Sequence, residues 1–330
     1  MNKYDFVAIG DTVVDAFIRL KDAHIHTDVD TKQREIAVRF GDKVPYEFLK
    51  DVAGVGNSAN ASVSAARLGL KSAIVTTVGS DMRGDQCVKV FEDDNVSTEF
   101  VTQHPDLPTN YHFVLWFGAE RTILVKHEEY PSSVPDVGSP KWIYLSSIGE
   151  HALHLHDEIV EYVKAHPGTK LAFQPGTFQM ALGVEKLANV YQNTGLFFCN
   201  REEAGRILKT DDISDVGALI DGIRAFGPEM VVVTDGEEGA YAGDANRKIF
   251  IPAYPDIADP LDRTGAGDAF ASTVCSGLAA GLPLDEALMW GPINSMSVVQ
   301  GIGAQEGLLT RAKLEEYLAN APEDYKIKEL

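Results

Sequence analysis

Strand-like apolar runs alternate with helical patterns through most of this 330-residue chain, and this alternation constrains its fold more than any other feature. A first clear instance is a strand over 72–78, a helix over 84–93 and a strand over 97–102. This order is typical of a parallel sheet with helices on its faces, because parallel neighbours need a crossover connection. The length allows one large α/β domain or two smaller ones.

Similar strand and helix patterns occur near the start of the chain and in its second half. Further strands are expected over 4–10, 11–18, 142–145, 170–173, 195–199 and 230–234, with edge strands over 238–242 and 248–252. Helices are expected over 151–165, 202–208 and 216–226. Because no repeat or Pro-rich linker separates these elements, we predict a single domain over 1–330.

The alternation breaks between 111 and 126. Two β-rich runs over 111–117 and 121–126 are joined by Gly118, Ala119 and Glu120, which predicts a hairpin. Residues 21–50 are polar with short β-like pieces, and they predict a second hairpin outside the main sheet. We expect the two regions, about 12–50 and 100–128, to pair as a small β lid.

Composition excludes several classes of function. The net charge of −20, from 29 basic and 49 acidic residues, disfavours nucleic acid or an anionic membrane as a partner. No apolar run is as long as a membrane span, and residues 1–5 do not resemble a signal peptide, so we expect a cytoplasmic protein. Three widely spaced cysteines predict buried free thiols: Cys87, Cys199 and Cys275.

A glycine-rich loop is the strongest candidate for chemistry. It reads Asp262, Arg263, Thr264, Gly265, Ala266, Gly267 and Asp268, and small, apolar residues over 269–281 then predict a packed helix. Small residues let a ligand approach the backbone, and the amides of a helix N-terminus favour a phosphate. An aspartate beside a phosphate is best explained as a base that takes a proton from an attacking hydroxyl. An ordinary N-cap is the alternative.

Other motifs follow one another in a fixed order. They are Gly10 and Asp15, then Gly56, Asn57, Ser58, Ala59 and Asn60, then Val78, Gly79, Asp81 and Gly84, then Asn200 and Glu203, then Thr234 and Gly236, and last 264–268. With these motifs the chain resembles the ribokinase (PfkB) family of carbohydrate kinases over nearly its whole length. The resemblance implies a three-layer α/β/α ribokinase-like fold with a mostly parallel sheet and a β lid. It also implies ATP-dependent phosphorylation of a hydroxymethyl group of a sugar.

The resemblance assigns the catalytic roles to the glycine loop. Asp268 is expected to be the general base, and the amides of Gly265, Ala266 and Gly267 are expected to form an anion hole. No Gly-x-x-x-x-Gly-Lys-Ser/Thr loop occurs in the sequence, so this helix end takes its place.

Two pairs of residues are expected to hold cations. Asn200 and Glu203 fit Mg²⁺ bound through water, although an N-cap asparagine with a first-turn glutamate is the alternative. Asp262 and Thr264 match positions that bind a monovalent cation in several family members, which makes K⁺ a candidate cofactor beside ATP and Mg²⁺. Arg263 stands where Thr or Ser is usual, and it is a candidate to repel that cation or supply its charge.

The resemblance also assigns the two substrates. It places sugar-hydroxyl contacts at Asp15, Gly56, Asn57 and Asn60, and nucleotide contacts at Thr234, Gly236 and, at the adenine edge, Asn294. The asparagines have an alternative as caps or as satisfied polar residues of packed helices. Departures from the family pattern at Val13, Val55, Arg263 and Gln174 leave the identity of the sugar open.

Three other functions are weighed against a sugar kinase. A non-catalytic sugar-binding relative is disfavoured by the retained Asp268, and a dinucleotide-dependent oxidoreductase by the missing Gly-x-Gly-x-x-Gly after the first strand. A nucleoside kinase is the runner-up, because aromatic residues of the lid are candidates to stack on a base. They are Tyr46, Phe48, Tyr111, Phe113, Trp116 and Phe117, and packing within the lid is their alternative role. A homodimer through the lid is a candidate assembly.

Overall fold

The computed structural model of the chain describes residues 3–29, 33–118 and 120–330. Ala119, in the middle of the predicted turn after 117, lies outside the described residues, as do residues 1 and 2 of the N-terminal segment and 30–32 of the polar region.

Strands and helices alternate along the chain, as expected. The strands are β1 (Phe6–Ile9), β2 (Val13–Leu20), β3 (His24–Thr27), β4 (Arg34–Ala37), β5 (Tyr46–Val55), β6 (Ser72–Gly79), β7 (Val101–His104), β8 (Tyr111–Phe117), β9 (Glu120–Leu124), β10 (Trp142–Leu145), β11 (Lys170–Phe173), β12 (Leu196–Asn200), β13 (Met230–Thr234), β14 (Ala240–Gly243), β15 (Lys248–Ile251) and β16 (Lys328–Glu329). The helices are α1 (Asn57–Arg67), α2 (Met82–Asp93), α3 (His154–Ala165), α4 (Thr177–Leu182), α5 (Ala188–Gln192), α6 (Arg201–Leu208), α7 (Val216–Arg224), α8 (Ala266–Ala279), α9 (Leu284–Val298) and α10 (Arg311–Ala319).

A ten-stranded sheet forms the middle layer, in the order β16-β15-β14-β13-β12-β11-β10-β1-β6-β7. The seven strands from β13 to β7 run parallel, and β14, β15 and β16 continue the sheet antiparallel. Strands β1 and β10 are buried at every position, as a sheet covered on both faces requires. Separate apolar clusters cover the two faces, one containing α8 and α9 residues and the other α3 and α7 residues. The predicted three-layer α/β/α fold is confirmed.

The lid is a four-stranded sheet in the order β5-β2-β8-β9. Strands β8 and β9 form the predicted hairpin, and β8 pairs with β2 in parallel, so segments of the two predicted lid regions do pair. The pairing is made by β2 and not by the polar hairpin within 21–50. That polar hairpin, β3 with β4, is a separate two-stranded sheet. Strand β7 also lies outside the lid, because it pairs with β6 at the edge of the central sheet. The lid therefore begins its second segment at β8 rather than near residue 100.

Helix α8 begins at Ala266, earlier than the expected 269–281, which places Asp268 inside its first turn. Helix α1 begins at Asn57, directly after Gly56. The short helices α4 and α5 and the C-terminal α10 were not predicted. No helix within the described ranges is long and apolar enough to span a membrane. The three cysteines are buried free thiols, as predicted, and burial raises the pKa of each, to about 12 for Cys87.

Candidate active site

The loop that leads into α8 depends on a glycine at its last position. Gly265 is the N-cap of the helix, with a left-handed φ of 80°. A Cβ added there would lie 2.3 Å from Cβ of Ala304, so a side chain is excluded by contact as well as by conformation. The Ala266 amide makes a long 3.5 Å bond to the Arg263 carbonyl. The loop that precedes the first-turn amides of α8 thus packs closely against residues 303–304. The helix dipole adds partial positive charge at these amides.

The carboxylate of Asp268 is held by three side-chain amides. Asn57 Nδ2 donates to Oδ1 at 2.8 Å, Asn60 Nδ2 donates to Oδ2 at 2.9 Å, and Gln174 Nε2 donates to Oδ1 at 3.2 Å. Burial raises the pKa of Asp268, and the three amide donors oppose part of that rise. The Asp268 residue is only half-buried, so a ligand can reach it. Its carboxylate has a fixed orientation and a higher affinity for protons than that of an ordinary aspartate.

The N-terminus of α1 brings the first two amides to Asp268. Gly56 has a φ of 120°, and a Cβ there would lie 2.6 Å from the backbone oxygen of Asp11. Asn57 keeps some exposed surface, whereas Asn60 is only 4% exposed and its Oδ1 accepts a bond from Gln305. The expected sugar contact at Asn60 is therefore corrected: its side chain supports Asp268 from within the core.

Polar groups from the lid face the same region. Asp15 on β2 is the register partner of His112 on β8, and His112 Nδ1 lies 3.5 Å from Asp15 Oδ1. His127 packs edge-on against His112, and its Nδ1 lies 3.3 Å from Asp11 Oδ2. Buried His112 Nε2 has no hydrogen-bond partner within the described part of the chain. Since buried polar atoms are normally bonded, this cluster is suited to a polar ligand.

A cavity of about 460 Å³ opens beside the start of α8. Its walls include Thr234, Gly236, Ala266 and Gly267, together with Met296 of α9. Both sequence-predicted nucleotide residues at 234 and 236 thus share a cavity with the predicted anion hole. Its volume is in the range of small-molecule sites.

Asn200 and Glu203 form a capping box at the start of α6. Asn200 Oδ1 accepts from the Glu203 amide at 2.8 Å, and Glu203 Oε2 accepts from the Asn200 amide at 2.9 Å. Asn200 is also the register partner of Thr234 on β13, so the box lies next to a residue of the cavity wall. Among the residues that the structure describes, the second carboxylate oxygen of Glu203 has no hydrogen-bond partner, and one carboxylate oxygen with water fits Mg²⁺.

Asn294 does not lie in the cavity wall. It is 0% exposed, its Nδ2 donates to Thr273 Oγ1 at 2.7 Å, and its Oδ1 accepts from the Leu309 amide at 2.9 Å. Its neighbours Ser295 and Met296 line the cavity instead. The expected adenine contact at Asn294 is corrected, because the helical turn directs its side chain into the core.

The carboxylate of Asp262 is surrounded by protein donors. Oδ1 accepts from Arg121 Nη1 at 2.6 Å and from Thr264 Oγ1 at 2.6 Å, and Oδ2 accepts from the Gly303 amide at 2.9 Å. At the expected K⁺ position, Asp262 and Thr264, the Arg121 guanidinium supplies positive charge in this structure. Arg263 does not supply it, because its Nη2 contacts Glu237 at the mouth of the cavity.

Sequence reasoning missed Arg121, His112, His127 and the contact of Gln174 with Asp268. Arg121 and His112 lie on lid strands, where a charged or polar residue in an alternating pattern is typical of a solvated face. Gln174 was noticed only as a departure from a family pattern. Its position directly after β11, at the carboxyl edge of a parallel sheet, was the one signal that marked it.

The central sheet, its flanking helices and the lid define a ribokinase-like protein. A family model described as pfkB family carbohydrate kinase matches residues 5–311, and the chain belongs to that family. It is therefore a phosphotransferase of a family whose members act on sugars or nucleosides.

Individual relatives are of both kinds. A ribokinase of Bacillus subtilis is 26% identical over 274 residues, covering 80% of this chain and 87% of its own. A nucleoside kinase of Methanocaldococcus jannaschii is 24% identical over 277 residues, covering 80% of this chain and 84% of its own. The solved structure of Arabidopsis thaliana ribokinase complexed with ribose and ATP has a TM-score of 0.80 at 17% identity, covering 96% of this chain and 98% of that one.

Proposed function

We propose that this protein transfers the γ-phosphoryl group of ATP to a hydroxymethyl group of a neutral sugar, with Asp268 as the general base. The observation that carries the proposal is the position of Asp268. Its carboxylate lies in the first turn of α8, which borders the 460 Å³ cavity, and it is held by amides from α1, next to the lid. A base in this place has a phosphate site on one side and a pocket for hydroxyl groups on the other.

Phosphoryl transfer then needs little more than positioning and charge stabilisation. A sugar hydroxyl that donates to Asp268 loses its proton to the carboxylate as its oxygen attacks the γ-phosphorus. The bond from that phosphorus to the β,γ-bridging oxygen breaks, and ADP leaves with the electron pair. The raised pKa of Asp268 favours that proton transfer, and Asn57 and Gln174 keep the accepting oxygen in place. The amides of Gly265, Ala266 and Gly267 stabilise charge on the transferred group. Mg²⁺, held through water by Glu203 beside Asn200, would neutralise phosphate charge.

The charges around the acceptor pocket favour a neutral sugar. Asp15 carries a carboxylate on the lid and Asp268 another at the start of α8, and Asp11 follows β1. His112 lies against Asp15, and His127 lies against Asp11. A carboxylate or phosphate on the acceptor would meet like charge there. Hydroxyl groups, in contrast, can donate to Asp15 and accept from or donate to His112.

A nucleoside acceptor is the second candidate, favoured by the nucleoside kinase among the relatives. The lid aromatics give it little support. Trp116 is 8% exposed, packs edge-on against Phe48 and lies under the Arg19 guanidinium. Tyr111 and Phe113 contact each other. Because these rings pack against one another, they are poorly placed to stack on a base. Asp15 and His112 are the polar side chains that we expect to contact an acceptor.

The test is an ADP-release assay with ATP, Mg²⁺ and a matched panel of acceptors. The panel contains neutral pentoses and hexoses, the corresponding sugar phosphates and sugar acids, and purine and pyrimidine nucleosides. We expect the highest kcat/KM with a neutral sugar. A preference for any nucleoside would replace the proposed acceptor with the second candidate, and a preference for an anionic sugar would contradict the charge argument.

We also propose that two copies associate through the outer face of the lid. Leu49, Phe113 and Leu124 are 51%, 43% and 52% exposed there, and Phe113 and Leu124 are register partners on β8 and β9. Exposed apolar side chains clustered on one surface often mark a protein–protein contact. Sedimentation equilibrium should give twice the 35.9 kDa chain mass, and a Phe113→Glu, Leu124→Glu variant should sediment as a monomer. A monomeric wild-type protein would exclude this assembly.

A further inference from the structure

We propose that Arg121 is a positioning residue that couples the lid to the anion hole, an inference that rests on the proposed phosphoryl transfer. Arg121 lies on β9, the edge strand of the lid, yet its guanidinium contacts Asp262 on the loop that leads into α8. The two side chains are 24% and 4% exposed. This ion pair is therefore screened far less than one on the surface, and it joins a lid strand to the loop of the predicted anion hole.

Asp262 is the residue through which Arg121 acts. One oxygen accepts from both the amide and the hydroxyl of Thr264, and the other accepts from the amide of Gly303. Thr264 immediately precedes Gly265, and Gly303 precedes Ala304, which is the residue that packs on Gly265. The direction of the Asp262 carboxylate thus fixes both sides of the turn from which the anion-hole amides project.

The buried carboxylate needs a cation to hold that direction. A charge that is 4% exposed is strongly destabilised when its partner is removed, so it would turn toward water or distort the loop. Arg121 provides the partner from the lid, and its planar guanidinium is well suited to a carboxylate. Since the lid also carries Asp15 and His112, an acceptor that holds the lid in place holds Arg121 on Asp262 as well.

The lid makes a second ion pair with the neighbouring loop, which offers a matched control. Lys50 of β5 lies 2.9 Å from Glu306, and the two side chains are 41% and 59% exposed. Glu306 also accepts from the Ile302 amide at 3.3 Å, but within the described residues no hydrogen bond or ion pair joins Lys50 or Glu306 to Asp262 or to 263–267. Lys50→Met removes a lid-to-body ion pair without removing the partner of Asp262. Arg121→Met removes the partner of Asp262 with a side chain that keeps the apolar stem.

The first measurement is amide hydrogen exchange, which does not depend on catalysis. In Arg121→Met we expect faster exchange than in wild type for the amides of Thr264 and Gly303, which both donate to Asp262. In Lys50→Met these amides should exchange as in wild type. Wild-type protection of both amides in Arg121→Met would overturn the proposal, whatever acceptor the enzyme uses.

The second measurement is kinetic, with the best acceptor of the panel. Arg121→Met should lower kcat by about 10- to 100-fold with little change in the KM for ATP. Misplaced amides weaken the stabilisation of the transition state more than they weaken binding of the ground state. Arg121→Lys, which keeps the charge, should recover part of the loss, and low concentrations of guanidinium should raise the rate of Arg121→Met but not that of wild type.

An equal loss in Lys50→Met would reduce Arg121 to a general lid contact and overturn the proposal. Absence of wild-type activity on every acceptor would instead contradict the proposed function, and the exchange result would still decide the role of Arg121.

Discussion

Asn57 donates its side-chain amide to Asp268 at 2.8 Å, although the two residues are 211 positions apart in the sequence. The contact joins the first turn of α1 to the first turn of α8, and these two helices pack side by side against one face of the central sheet. Each helix begins after a glycine with positive φ, Gly56 and Gly265. Two glycine loops that are separate in the sequence therefore fix the position of one carboxylate, that of Asp268.

Replacing the proposed base should abolish turnover without unfolding the protein. We expect Asp268→Asn to lower kcat by a factor of about 10² to 10⁴ or more, because the acceptor hydroxyl then loses its proton unaided. ATP binding, measured by calorimetry, should be largely retained. Asp259→Asn, at an exposed aspartate before the same loop, is the control and should keep wild-type turnover. More than about a tenth of wild-type kcat in Asp268→Asn would remove Asp268 from this role.

The pH dependence of turnover should report the environment of Asp268. Burial raises its pKa, so the base becomes protonated, and activity falls, at a higher pH than for an ordinary aspartate as the pH is lowered. Asn57→Ala removes a donor that lowers this pKa, and the acid limb of the kcat profile should move to still higher pH. Gln174→Leu should move the limb in the same direction. An acid limb that stays in place in both variants would mean that another group controls it.

Glu203 offers a clean test of the magnesium proposal. A glutamine can keep the capping box, because its side-chain oxygen still accepts from the Asn200 amide, while the charge is lost. Glu203→Gln should therefore raise the Mg²⁺ concentration needed for half-maximal rate, with the KM for the acceptor nearly unchanged. Glu202→Gln, at an exposed position in the same helical turn, should leave the Mg²⁺ dependence as in wild type. The same Mg²⁺ requirement in all three proteins would leave Glu203 with a capping role alone.

Asn294 should matter for stability and not for nucleotide binding. Asn294→Ala leaves the buried Leu309 amide without its acceptor, so the free energy of unfolding should fall by about 1–3 kcal/mol in denaturant titrations. The KM for ATP should stay unchanged. Ser295→Phe, one residue further along α9, should instead raise the KM for ATP, because Ser295 lines the cavity. A higher KM for ATP in Asn294→Ala would restore the adenine contact that the structure argues against.

The sequence by itself determined the layers of the fold and the position of Asp268 at a helix N-terminus. Alternating strand and helix patterns predicted the parallel sheet, and the glycine loop before Asp268 predicted a helix N-terminus, which α8 provides. The capping arrangement of Asn200 and Glu203, stated as the alternative to their Mg²⁺ role, is present because both partners lie within four consecutive residues. All of these signals are local, since backbone conformation and the period of burial are encoded over a few residues at a time.

Only the tertiary structure decided how distant side chains meet. Arg121 and Asp262 are 141 positions apart, and their pairing follows from the placement of β9 at the lid edge beside the α8 loop. The direction of Asn294 depends on how α9 packs against α8, which turns that residue to the core and Ser295 to the cavity. Strand order and helix packing arise from burial summed over the whole molecule, so no short stretch of sequence carries them.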